Sequence, residues 1–83
     1  MMELARNPKQ IGTLIQRARK KRGWTQTELG ERSGLRQETI SLMETGNPAA
    51  KLETVLAVIS ALGLELRIAT RSTQKPSDIE DIF

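Results

Sequence analysis

Residues 25–46 read TQTELGERSGLRQETISLMETG, and the way this stretch divides decides the fold. Its first half opens on a complete helix-start signal. Thr25 and Glu28 stand in the T-x-x-E spacing of a capping box, and Trp24 before the cap with Leu29 at the fourth helical position forms a hydrophobic staple. Trp24, the sole tryptophan, is therefore read as a packing residue that sets the angle at which the helix begins. The helix is short and ends near Ser33-Gly34. The second half reads as another short helix, apolar only at Leu35, Ile40 and Met43. That narrow stripe packs one edge and leaves Arg36, Gln37, Glu38, Ser41 and Leu42 with no core to face. Two short helices separated by a tight, glycine-containing turn are the helix-turn-helix signature. In such a unit the second helix turns its free face to the major groove of DNA, which is wide enough to admit it.

The flanks supply the rest of the domain. Upstream, NPKQIGTLIQRARKKRG (residues 7–23) offers Asn7 as N-cap and Pro8 at the first helical position. Ile11, Leu14, Ile15 and Ala18 then fall on one helical face, and Gly23 stops the helix. Arg17, Arg19, Lys20, Lys21 and Arg22 crowd its end. Cations suit the negative end of a helix dipole, but five bases are more than a dipole needs. Downstream, ETGNPAAK is a loop with Gly46 and Asn47-Pro48 as turn chemistry. Leu52, Val55, Leu56, Ile59 and Leu62 then repeat at helical spacing up to Gly63. Val58 and Ala61 widen the apolar face enough to serve both the core and a partner.

After Gly63 the period changes to two, with Leu64, Leu66 and Ile68 alternating against Glu65, Arg67 and Ala69. This is a short strand over about residues 64–70. A single strand cannot complete its own ladder, and no other stretch alternates. The economical partner is the same strand of a second copy; the alternative is a strand lent by another protein. Residues 71–83, RSTQKPSDIEDIF, read as a flexible acidic tail. Ile79, Ile82 and Phe83 in it are either incidental or a short motif that a partner buries. The expected architecture is thus an all-α domain of four to five helices in residues 1–70. It closes with one β-strand that pairs across a dimer.

Composition narrows the function. With 83 residues the chain is one small domain, and it has neither cysteine nor histidine. The usual zinc ligands and the commonest general base are absent, and no nucleophile–base pair is visible. No metal, cofactor or enzymatic activity is expected. The longest apolar run, Val55 to Leu64, is interrupted at Ser60 and Gly63 and falls short of the ~20 residues of a membrane span. Met1-Met2-Glu3 lacks the plan of a signal peptide, so the cytoplasm is the expected compartment. The net charge of +3 divides unevenly: residues 1–75 hold thirteen bases against seven acids, and the last eight residues hold three acids and no base. A basic body with an acidic tail suits two different partners, though a solvated surface with a charged end accounts for it as well.

The run TQTELGERSGLRQETISLMETG resembles the lambda repressor/Cro-like (XRE) helix-turn-helix family. The likeness rests on Gln26, Leu29 and Gly30 in the first helix and on Gly34 in the turn. It continues through Gln37 and Ile40 in the second helix to Glu44 and Gly46 at its end. More narrowly, GWTQTELGERSGLRQETIS, the later LETVLAVISALGLELRI and an aromatic last residue look like the HipB-type antitoxins. These are autorepressors paired with a HipA-type serine/threonine kinase toxin.

The resemblance implies a homodimer that binds operator DNA and a kinase toxin, the rival being a stand-alone phage-type repressor. It implies that Gln26 holds a phosphate and braces Gln37. It places Arg36, Gln37, Glu38, Thr39, Ser41 and Leu42 toward base edges, and Arg17, Lys20, Lys21 and Lys51 toward the backbone. Leu64, Leu66, Ile68 and, on the fourth helix, Val58 are expected at the dimer face, and Ile79, Ile82 and Phe83 at the toxin. Two features depart from the family pattern. Arg36 occupies a cap position often held by Ser or Thr, and Glu38 and Leu42 stand where amides are common. An acid there is useful only if it accepts from cytosine N4, and Leu42 suits a thymine methyl.

Overall fold

The computed structural model describes residues 4–71, which form four helices: α1 (Pro8–Lys21), α2 (Gln26–Ser33), α3 (Gln37–Glu44) and α4 (Leu52–Ala61). The boundaries of α1 and α2 have local causes. Asn7 caps α1 by accepting from the Gln10 backbone N–H at 2.8 Å, and Pro8 takes the first helical position. The capping box of α2 is complete: Thr25 Oγ1 accepts from the Glu28 N–H, and Glu28 Oε1 accepts from the Thr25 N–H. Gly34 ends α2 at φ +75°, a left-handed conformation that costs glycine nothing, and Leu35 N–H closes back onto Gly30 O at 2.8 Å. Residues 34–36 therefore turn the chain sharply enough to lay α3 against α2.

The core is Ile15, Leu29, Ile40, Met43, Val58 and Leu62, flanked by the partly buried Ile11, Ala18, Trp24, Leu35, Val55 and Ala61. Helix α3 packs between α1 and α2, and α4 closes the other side of α2. The approach of α1 to α3 is set by Gly12. A Cβ there would lie 2.4 Å from Met43 O and 2.6 Å from Glu44 O, closer than any side chain tolerates.

The apolar residues of α4 divide in a way that their spacing did not reveal. Val55, Val58, Ala61 and Leu62 turn inward, whereas Leu52 and Leu56 remain exposed. Val58, expected at the dimer face, is fully buried in the core of this chain. Among the described residues there is no strand; residues 64–71 carry no regular secondary structure. The strand expected over about residues 64–70 is therefore not formed in this single chain, whose described residues offer no second strand to pair with. Leu64, Leu66 and Ile68 are all exposed, Ile68 at 96%. Ile79, Ile82 and Phe83 lie outside the described residues.

Candidate nucleic-acid interface

A buried ion pair lies at the root of the candidate interface. On α1, Arg19 follows Gly12 by seven residues and so points to the same side, toward the end of α3. Its Nε donates to Glu44 Oε2 at 2.6 Å and its Nη2 to Glu44 Oε1 at 3.0 Å, a bidentate clasp. Nη1 donates to Trp24 O at 2.8 Å, which ties in the start of α2. Both side chains are almost wholly withdrawn from water, and no buried side-chain nitrogen or oxygen among the described residues lacks a partner. One guanidinium thus fastens α1, the α1–α2 turn and the last residue of α3.

The clasp continues to the surface as a directed relay. Gln26, the first residue of α2, donates through Nε2 to Glu44 Oε1 at 3.2 Å. A carboxylate only accepts, so the Gln26 amide must turn its nitrogen inward and its oxygen outward. That oxygen accepts from Gln37 Nε2 at 2.6 Å. Gln37 heads α3 and is exposed. With one N–H committed to Gln26, it presents its second N–H and its carbonyl oxygen outward, the donor–acceptor pair that matches adenine N7 and N6 in the major groove. The expected brace between Gln26 and Gln37 is present. The buried pair that orients it was missed in the sequence.

Around Gln37, α3 exposes Arg36, Glu38 and Leu42, the last at 53%, while Thr39 and Ser41 are half-buried beside them. Arg36 is the N-cap of α3 without a side-chain cap bond, so the cap is forgone and the guanidinium stays outward. Lys51 is likewise the N-cap of α4, uncapped and exposed. The five bases at the end of α1 divide by role. Arg19 is structural, and Arg22 donates to Leu62 O at the end of α4 and lies over the Trp24 ring. Arg32 lies over the same ring at 4.2 Å. Arg17, Lys20 and Lys21 are exposed. Among the described residues no cluster of acids could hold a metal ion, and no helix is long and apolar enough to cross a membrane.

A short α2, a glycine turn, an outward-facing α3 and a core that holds the pair rigid define a helix-turn-helix protein. The helix-turn-helix family model matches residues 15–68, and the chain belongs to that family. Within it, the chain is similar to Antitoxin HipB of Escherichia coli strain K12, with 28% identity over 74 residues that cover 89% of this chain and 84% of that protein. The HipB of Escherichia coli O6:H1 matches at the same identity over 79% of its length. The fold superposes on the solved structure of a HipB-O4 20mer complex with TM-score 0.76 and 28% identity, covering 82% of this chain and 96% of that one. It superposes on a HipA-HipB-O2-O3 complex with TM-score 0.74 and 30% identity, covering 82% and 96%.

Proposed function

We propose that the protein is a dimeric, sequence-specific DNA-binding repressor. We further propose that it is the antitoxin of a HipA-type serine/threonine kinase toxin and the autorepressor of their operon. The observation that carries the DNA-binding part is the relay Arg19–Glu44–Gln26–Gln37. A buried charge pair is an expensive way to hold one exposed amide in one orientation, and an oriented amide is what base reading requires. Gln37, Arg36, Ser41 and Leu42 face base edges, with Glu38 and Thr39 on the same helix. Gln26, Arg17, Lys20, Lys21 and Lys51 contact the phosphate backbone, which fixes register without reading sequence. The dimer forms through Leu64, Leu66 and Ile68. It places two α3 helices on half-sites about one helical turn, ~34 Å, apart. The antitoxin part rests on the likeness to HipB across nearly the whole described domain. A stand-alone repressor shares the DNA face but has no use for a kinase-binding surface. The protein acts in the cytoplasm and catalyses no reaction.

Two measurements test this reading together. The purified chain is titrated against the DNA upstream of its own gene and against unrelated DNA, and it is co-expressed with the HipA-type kinase of its host. Selective, salt-sensitive binding with relief of kinase toxicity is the expected result. Equal affinity for both DNAs overturns the repressor, and undiminished toxicity overturns the antitoxin.

A further inference from the structure

Glu38 is an acid on the helix that faces DNA. It sits in the first turn of α3, immediately after Gln37, and is exposed. Among the described residues it has neither a hydrogen-bond nor an ion-pair partner, although Arg36 stands two residues away. Glu44 on the same helix is consumed by the buried clasp, and Glu28 by the capping box. A carboxylate in this place repels phosphate and costs affinity for DNA of any sequence, so it needs a compensating contact.

We infer that Glu38 reads cytosine, and that it is a specificity-determining residue of this chain. The inference rests on the reading of α3 as the base-contacting helix. Its logic is one of donors and acceptors. An ionised carboxylate only accepts, and in the major groove guanine offers only acceptors, as does thymine beside its methyl group. Adenine offers the N6 donor but sets the N7 acceptor next to it, against the second carboxylate oxygen. Cytosine offers the N4 donor with a carbon-bound hydrogen beside it, and is the one base that a carboxylate meets without repulsion. The start of α3 therefore presents three successive chemistries: donor-only Arg36 at the N-cap, then mixed Gln37 and acceptor-only Glu38.

The test selects bound duplexes from a randomised pool with the wild-type chain, with Glu38→Gln and with Glu38→Ala. The wild type should require cytosine at one symmetric pair of positions. Any other base there should weaken binding at least about fivefold, the lower end of one good base contact. N4-methylcytosine, which replaces the groove-facing hydrogen, should weaken it equally. Glu38→Gln should change the selected base to adenine, because an amide pairs with N6 and N7. Glu38→Ala should accept any base at that pair. Both variants should bind random DNA more tightly than the wild type, the opposite sign to their loss on the cytosine site. A wild type that selects a palindrome whose every position is unchanged in both variants overturns the role of Glu38 and leaves the repressor standing. A wild type that selects no sequence overturns both.

Discussion

Replacing Glu44 by Ala should bring this domain close to unfolding, and the reason is Arg19 rather than the glutamate. The substitution removes the acceptor of two guanidinium bonds, at 2.6 and 3.0 Å, and leaves only the bond to Trp24 O on a charge that is nine-tenths buried. Breaking one side of a buried pair costs ~3–5 kcal/mol, because the remaining charge stays desolvated without compensation. A domain of about 70 residues has ~4–10 kcal/mol of stability in all. At roughly 4–8 °C per kcal/mol, the midpoint of thermal unfolding should fall by at least about 12 °C. The pair need not be stabilising in itself, since well-packed apolar substitutes for buried pairs are often neutral or better. The double variant Arg19→Met/Glu44→Leu should therefore recover more than half of the loss. Trp24 O and Gln26 Nε2 lose their partners in it, which keeps recovery incomplete. The assay is denaturant unfolding of Glu44→Ala and of the cycle formed by the wild type, Arg19→Met, Glu44→Leu and Arg19→Met/Glu44→Leu, with a coupling of about 2 kcal/mol or more expected in the cycle. A cost below about 1 kcal/mol for Glu44→Ala, or a double variant no more stable than either single one, would show that Arg19 does not depend on Glu44 in this way. The recovered double variant should still read DNA poorly, because nothing then turns the Gln26 amide toward Gln37.

Three further outcomes follow from particular contacts. Gly12→Ala, a change that gains ~1 kcal/mol in an open helix, should instead destabilise by ~1–3 kcal/mol because its Cβ meets Met43 O; a stabilised variant in thermal unfolding would show that α1 and α3 lie further apart. The wild type should sediment as a dimer at micromolar concentration and Ile68→Pro as a monomer, the proline having removed a ladder donor; a monomeric wild type contradicts the pairing. Deletion of residues 77–83, which carries off three acids with Ile79, Ile82 and Phe83, should leave operator affinity within about twofold, under ~0.5 kcal/mol. The same deletion should weaken capture of the kinase, and undiminished capture and neutralisation would reduce this segment to an ordinary chain end.

The helix boundaries were legible because their causes are local. Asn7 with Pro8, Thr25 with Glu28, and Gly34 each act within four residues, and all three signals are written in consecutive letters. The exposed face of α3 was legible for a related reason: an eight-residue helix with so few apolar positions must leave most of its surface to something else. The Arg19–Glu44 clasp spans 25 residues and has no local signature. A signal did exist, however. Arg19 falls four residues after Ile15, and Glu44 four after Ile40, so each is a charge on the buried stripe of its helix. Two such misplaced charges of opposite sign predict one another. The dual face of α4 was expected, but not its division. Apolar residues surround that helix too widely for spacing to tell Val58, in the core, from Leu52 and Leu56, outside it.

In the proposed function Gln37, held by a relay from the buried core, reads a base. This is tested most directly by measuring the affinity of wild type and Gln37→Ala for the selected operator and for random DNA at one salt concentration. The substitution should cost ~1–3 kcal/mol on the operator and almost nothing on random DNA, since Gln37 carries no charge and would contact sequence rather than phosphate. Equal losses on the two DNAs would contradict it.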